Sequence, residues 1–575
     1  MFSIPLCKPK LFYYSLRKRR TSSSDFSLHH IDMKLKLFVI ALAAIGLLSA
    51  TSVLGQSYAI TNARIVTVSG ATIDRGTVVV RDGLIEAVGA NVSAPADAKI
   101  FDGAGLTVYP GFFDSLTNLG LAAPPRPAGG PGAQAAAQQQ TAQASTSNYP
   151  VGLRPEDAAG DQINAAEAQY ESARNAGFTT ALTVGRTGIF NGQSAIVNLA
   201  GGSASAMIVK SPAALHISFT GIPGQYPGSL LGMFSATRQM FYDARRHQEL
   251  QKMYAENPRG MRRPEADRSL EALIPALNRE IPVVFNANSE IEIIRAIDLA
   301  REFNLRLIIA GGQGAGGIVD RLKKADASVL LSMNFPKRTT ASSPDADPES
   351  LEVLRFRAEV PKTAAKLAQG GIPFAFQSGA LTNLNDLSAN AALAIQNGLT
   401  ADAAIRAMTL APAEIFGISD RTGSIETGKI ANLTVVRGDI FGKEKTITHV
   451  FVDGKLFEPK APPARPAGTG GGTGTPTTVG GNWSITIDVP GQPLSGTLNF
   501  TQQAGVLTGQ LTTQLGTTPI RDGRVTGNSF SFTATVQFGG VALDLNVNGT
   551  VTGDKVSGTI DSPQGTVPFS GTRVP

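Results

Sequence analysis

Across residues 107–417, short β-rich runs alternate with helical stretches, and this alternation restricts the chain to a parallel α/β arrangement. Candidate strands are Thr107 to Phe113, Thr179 to Val184, Pro282 to Phe285, Arg306 to Ala310, Ser328 to Leu331 and Pro373 to Phe376. One helix start is explicit. Ser289-Glu290-Ile291-Glu292 has the form of a capping box, and Ile293, Ile297 and Ala300 continue one apolar face. A helix entered directly from a strand is what a β/α barrel requires.

Tyr58 to Asp102 alternates apolar and polar residues around turn signals such as Asp82-Gly83, a hairpin pattern that returns at Asp453-Gly454. The expectation is a small composite β-sandwich built from 56–106 and 418–457, flanking a barrel over 107–417. Residues 122–149, rich in Ala, Gln, Pro and Gly, read as a disordered insertion. Residues 458–480 read as a Pro/Gly/Thr linker. Beyond it, 481–575 repeats Thr/Val/Leu/Phe strands with Gly-rich turns, as in a separate all-β barrel or sandwich.

The formal charge of +6 does not mark a nucleic-acid protein. Residues 1–55 hold eight of the 51 basic and two of the 45 acidic residues, which leaves 43 of each in a neutral remainder. Lys34 and Lys36 precede an apolar run from Leu37 to Ala50, the form of a signal peptide that starts at Met33 and is cleaved near Gly55. The chain is therefore expected to be periplasmic or secreted, with a retained N-terminal anchor as the alternative. Cys7 lies in that leader, so the remainder has no cysteine for a disulfide or thiolate site. Outside the leader only His216, His247 and His449 remain.

Three segments together resemble the amidohydrolase superfamily, in particular its exported, imidazolonepropionase-like members. They are Val108 to Gly120, Asn175-Ala176-Gly177-Phe178-Thr179-Thr180, and Gly423-Ser424-Ile425-Glu426-Thr427-Gly428-Lys429-Ile430-Ala431-Asn432-Leu433. The resemblance covers roughly Ser57 to Phe457. It implies a TIM-like β/α barrel whose strand ends hold zinc or another divalent metal, activating water to hydrolyse carbon-nitrogen bonds, peptide-like or not. It further implies a His-x-His pair, a bridging Lys or Glu, two further histidines and an aspartate.

At the matching positions of this chain the pair becomes Leu116 and Asn118, and the bridging position becomes His216. The fifth-strand stretch is Asn286-Ala287-Asn288, the sixth-strand histidine falls at Gly311, and the aspartate falls near Gly379. Leucine and glycine side chains offer no lone pair, and an amide oxygen is a weak ligand for zinc-like ions. The expectation is a family barrel without a bound metal and with degenerate catalysis. Asp114 and His216 are the only motif residues able to coordinate strongly or act as a base, and a structural role is expected for each. Asp114 would orient the strand-end loop, and His216 would be hydrogen-bonded in the barrel mouth. His247 would be solvated on a charged helix and His449 structural.

Two alternatives stay open. Asn118, Asn286, Asn288 and Gln377 would form a neutral pocket for a small polar uncharged ligand, with the C-terminal domain contacting a cell-surface partner or glycan. A metal-independent hydrolase would use Asp114 or His216 as general base. Gly311 to Gly317 resembles a phosphate-cradling turn but lacks a P-loop lysine, and Ser289 and Ser378 have no recognisable His-Asp partners.

Overall fold

The computed structural model describes residues 56–121, 147, 149–165, 167–222, 224–338, 349–379, 381, 383–459, 479–487, 494–503, 505–514, 516–538, 541–562 and 565–574. The leader (1–55), nearly all of the 122–149 insertion and most of the 458–480 linker lie outside the described residues.

Five short strands come first: β1 (Tyr58–Ile65), β2 (Ile73–Arg81), β3 (Leu84–Gly89), β4 (Lys99–Asp102) and β5 (Leu106–Pro110). Asp82 and Gly83, with φ of 51° and 83°, form the β2–β3 turn, where two positive φ values favour this residue pair. The apolar run from Leu106 onward is two strands, not one. Gly111 ends β5 and its amide donates to the Asn432 carbonyl at 2.8 Å, after which β6 (Phe112–Thr117) starts the barrel. The barrel therefore begins at Phe112, five residues later than the sequence pattern placed it. Glycine is required there because a Cβ would lie 2.1 Å from Oγ1 of Thr179.

The remaining strands of the barrel are β7 (Phe178–Thr183), β8 (Phe190–Gln193), β9 (Ala195–Asn198), β10 (Ile208–Lys210), β11 (Leu215–Ser218), β12 (Val283–Ala287), β13 (Leu307–Gly311), β14 (Ser328–Ser332) and β15 (Phe374–Gln377). They form two hydrogen-bonded sheets, β10-β9-β7-β6 and β15-β14-β13-β12-β11-β8. Residues 190–198 pass from one sheet to the other through Ser194, whose amide donates to Ala214 and whose carbonyl accepts from Ala213. One stave of the barrel is thus antiparallel, with β8 against β11 and β9 against β7, while β6, β7 and β11 to β15 run parallel to their neighbours.

Buried side chains alternate along these strands. Leu215, Ile217, Val283, Phe285, Leu307 and Ile309 pack in the large cluster shared with the helices. Leu182, Ile196, Val284, Ile308, Leu330 and Ala375 fill the barrel interior. Both faces are apolar, which is why the strands read as continuous hydrophobic runs. The helix Glu290–Phe303 follows β12 and carries the full capping box between Ser289 and Glu292. Among the described residues no helix is long and apolar enough to cross a membrane.

After the barrel come β16 (Leu433–Arg437), β17 (Thr446–Val452) and β18 (Lys455–Phe457). β16 pairs antiparallel with β5, so both flanks join one sheet in the order β18-β17-β16-β5-β1-β2-β3, with β4 on β1. This is one continuous sheet wrapped over its own core of Ile60, Ile65, Val78, Val80, Val108, Leu433 and Phe451, rather than two separately bonded layers.

Residues 479–574 form β19 (Gly481–Ile487), β20 (Leu494–Gln503), β21 (Val506–Thr513), β22 (Gly516–Pro519), β23 (Arg521–Thr526), β24 (Ser529–Phe538), β25 (Val541–Thr552), β26 (Lys555–Ser562) and β27 (Gly565–Val574). Antiparallel pairing closes eight of them into an all-β barrel, with β20–β21 completing the ring and β22 appended to β21. Trp483, Phe500, Phe530, Phe532 and Phe569 fill its centre. The Trp483 indole donates to the Val479 carbonyl at 3.0 Å, and the Arg573 guanidinium covers the ring at 4.1 Å.

Candidate functional site

The C-terminal ends of the parallel strands surround a cavity of about 570 Å³. Leu116 contributes from β6, Gly185 and Arg186 follow β7, Ser218 ends β11, and Asn286 and Asn288 come from the end of β12. Gly311 and Gln313 follow β13, Ser332 and Asn334 follow β14, and Gln377 and Gly379 follow β15. This is the end of a β/α barrel where functional groups collect, because the strand-to-helix loops diverge there.

The wall is built from amides that bind one another. Asn286 donates through Nδ2 to Oδ1 of Asn191 at 3.0 Å. Asn288 donates to Oε1 of Gln313 at 3.2 Å and accepts from the Gln313 backbone amide. Gln313 donates on to the Asn334 carbonyl at 2.8 Å, which makes the Gly-rich segment after β13 a bonded ledge. Gln377 donates to the Leu330 carbonyl at 3.0 Å. Glu292 also faces the cavity, but its carboxylate accepts from the amides of Asn288 and Ser289 at the helix N-terminus.

Of the four pocket amides expected from sequence, Asn286, Asn288 and Gln377 line the cavity and Asn118 does not. Asn118 follows the end of β6 and is exposed to solvent outside the cavity. The group that sequence reasoning missed is Arg186. It lines the cavity after β7, and its Nη2 donates to the Gly379 carbonyl at 2.6 Å. A lone arginine following a strand belongs to no motif, and only its position just beyond Val184 hinted at the mouth.

Asp114 and His216 lie beneath the cavity rather than on its wall. Asp114 Oδ1 accepts from the Ser378 amide at 2.9 Å and Oδ2 from the Ser378 hydroxyl at 2.5 Å. Beside it, the Ser115 hydroxyl donates to the Phe376 carbonyl at 2.6 Å. These side chains fasten β6 to β15, two strands that share no sheet ladder, so they close the barrel. Burial pushes the Asp114 carboxyl up to about 6 against the opposing pull of its Ser378 and Leu116 hydrogen bonds.

His216 corrects the expected hydrogen-bonded histidine. Leu215 and Ile217 face the helices, so the imidazole between them points into the barrel, beside its register partner Val284. It is fully buried, and among the described residues neither ring nitrogen has a hydrogen-bond partner. Burial alone pushes its pKa down to about 3, which keeps the ring neutral. His247 is likewise buried rather than solvated, 2.8 Å from the Gln251 amide and 3.5 Å from Glu271. His449 lies on β17 against Phe101, with Nδ1 3.1 Å from the Thr448 hydroxyl.

The side chains present do not match the ligand set that the family resemblance implies. Leu116 is an alkyl group, Asn286 and Asn288 are neutral amides engaged with Asn191 and Gln313, and Gly311 and Gly379 have no side chain. Gly311 has φ of 97°, so a histidine introduced there would be strained. Among the described residues no three His, Cys, Asp or Glu side chains are grouped to hold an ion.

A cavity of about 590 Å³ at the opposite end is lined by Arg301, Arg321 and Lys324. These cations occupy the last turns of the helices Glu290–Phe303 and Val319–Lys324, where they offset the exposed carbonyls.

The amidohydrolase family model matches residues 355–457. An amidohydrolase from Thermotoga maritima superposes with a TM-score of 0.58 at 25% identity, covering 70% of this chain and 100% of that one. A Xaa-Pro dipeptidase with methionine in its active site gives a TM-score of 0.43 at 16% identity, over 70% of this chain and 100% of that one. An adenosine deaminase from Xanthomonas campestris with bound zinc gives 0.40 at 16% identity, over 70% and 92%. No curated protein sequence matches the chain. The family match over 355–457 and the superposition over the whole of the Thermotoga protein show that the chain resembles the amidohydrolase superfamily in sequence at the end of the barrel and in fold.

Proposed function

We propose that this chain is an exported amidohydrolase-family barrel that has given up metal-dependent hydrolysis and retains a small polar ligand in its mouth. The observation that carries the reading is the composition of the cavity wall. At the strand ends, where relatives would activate water, amides of Asn286, Asn288, Gln313 and Gln377 are fixed by mutual and backbone hydrogen bonds. Such a wall presents donors and acceptors in set directions and binds without a reactive group. Asp114 and His216 are buried below it, which argues against either serving as a general base.

Export rests on the Met33 to Gly55 leader, and a mature N-terminus near Gln56 is expected from sequencing the extracytoplasmic protein. The filled centre of the C-terminal barrel leaves its outer surface as the place for a cell-surface or glycan contact. The function is tested with a panel of amides, lactams and dipeptides, with and without added zinc. The reading expects some members to raise the melting temperature with no turnover under either condition. Zinc-dependent turnover carried by the purified chain would overturn it.

A further inference from the structure

The cavity wall carries one cation, Arg186, which the buried Asp114 carboxyl attracts from below without pairing with it. Arg186 makes no ion pair among the described residues, and its one hydrogen bond there leaves most of the guanidinium edge open. The other charged group in the wall, Glu292, is occupied by two backbone amides. Two acceptors complete the picture. Oδ1 of Asn286 and Oε1 of Gln377 receive no hydrogen bond among the described residues, although their amide nitrogens are engaged. Both residues line the same cavity as Arg186, and neither oxygen is among the sealed unpartnered atoms of the interior.

Resting on the ligand-binding reading above, we propose that the mouth binds a small carboxylate that also carries amide N–H groups, with Arg186 holding the carboxylate and the Asn286 and Gln377 carbonyls receiving the N–H donors. A guanidinium presents paired donors that match a carboxylate, and a charge-assisted pair of this kind is roughly twice as strong as a neutral hydrogen bond. The Gly379 carbonyl orients the arginine across the mouth from β7 toward the end of β15. This replaces the uncharged ligand expected from sequence, because the arginine was not visible there as part of the pocket.

Three matched probes separate the terms: succinamate has both groups, succinamide lacks the carboxylate, and succinate lacks the amide. Each is titrated into the full mature chain by calorimetry at fixed ionic strength and neutral pH, alongside Arg186→Gln. Succinamate is expected to bind at least tenfold more tightly than either analogue, and Arg186→Gln to reduce it to the level of succinamide. A purely structural arginine would lower the melting temperature of the variant without changing the preference among probes. Equal binding of succinamate and succinamide, or a preference that survives Arg186→Gln, overturns the carboxylate assignment and leaves the ligand-binding reading standing. No heat from any probe, with no melting shift across the wider amide panel, removes both.

Discussion

His216 and Asp114 show how burial redirects groups that a sequence motif would call reactive. His216 has a folded pKa near 3 against an ordinary 6.5, so the stability it permits is present above 6.5 and is lost as pH falls toward 3. Asp114 has a folded pKa near 6 against 3.8, so its contribution is largest below 3.8 and is lost as pH rises through 6. At about 1.4 kcal/mol per unit, the two are worth up to about 5 and about 3 kcal/mol, with opposite slopes between pH 4 and 6. In urea unfolding, His216→Leu should remove two unpartnered buried nitrogens and raise stability at neutral pH by about 1–3 kcal/mol. With the Asp114 contribution then unopposed, stability should rise as pH falls from 6 to 4. Asp114→Asn should instead leave a curve that climbs from pH 4 to 6.5. Variants whose pH curves run parallel to the parent would refute both assignments.

This scale is also where sequence reading fell short. Leu116, Asn286 and Gly311 could be placed at strand ends because their neighbours are patterned, but the partners of a side chain come from distant strands. Nothing near His216 in sequence reveals that Val284 sits beside it, or that no donor among the described residues reaches it. Arg186 was missed for the same reason, since its carbonyl partner lies 193 residues away.

At the scale of elements, the capping box was legible because its four residues are contiguous. Ser289→Ala should cost about 1 kcal/mol, read as a lower urea midpoint at unchanged slope. The division between β5 and β6 was not legible, because Leu106 to Phe113 is apolar on both sides of Gly111 and the break depends on Thr179 in another strand. Gly111→Ala should destabilise by about 1–3 kcal/mol through overpacking against the Thr179 hydroxyl. Adding Thr179→Ala should recover much of that loss, a coupling that a double-mutant cycle measures directly. Additive effects of the two changes would place the clash elsewhere. The antiparallel stave at 190–198 also escaped the sequence pattern, since Asn191, Gly192 and Gln193 interrupt its apolar alternation.

At the scale of the molecule, among the described residues the core of the C-terminal barrel is drawn from 479–569 and has no member in common with the core of the amidohydrolase-like barrel. A fragment of residues 479–575 is therefore expected to unfold cooperatively in urea on its own, and a gradual, non-cooperative loss of signal would contradict that independence. In the larger barrel, a bonded amide wall lines the strand ends where the family resemblance implies a metal centre, and among the described residues no three His, Cys, Asp or Glu side chains are grouped there. The most direct test is the metal content of the mature chain after dialysis against zinc, with Asp114→Asn and His216→Leu as controls. The account expects well under one equivalent per chain, unchanged in either variant. One tightly held equivalent that disappears in either variant would contradict it.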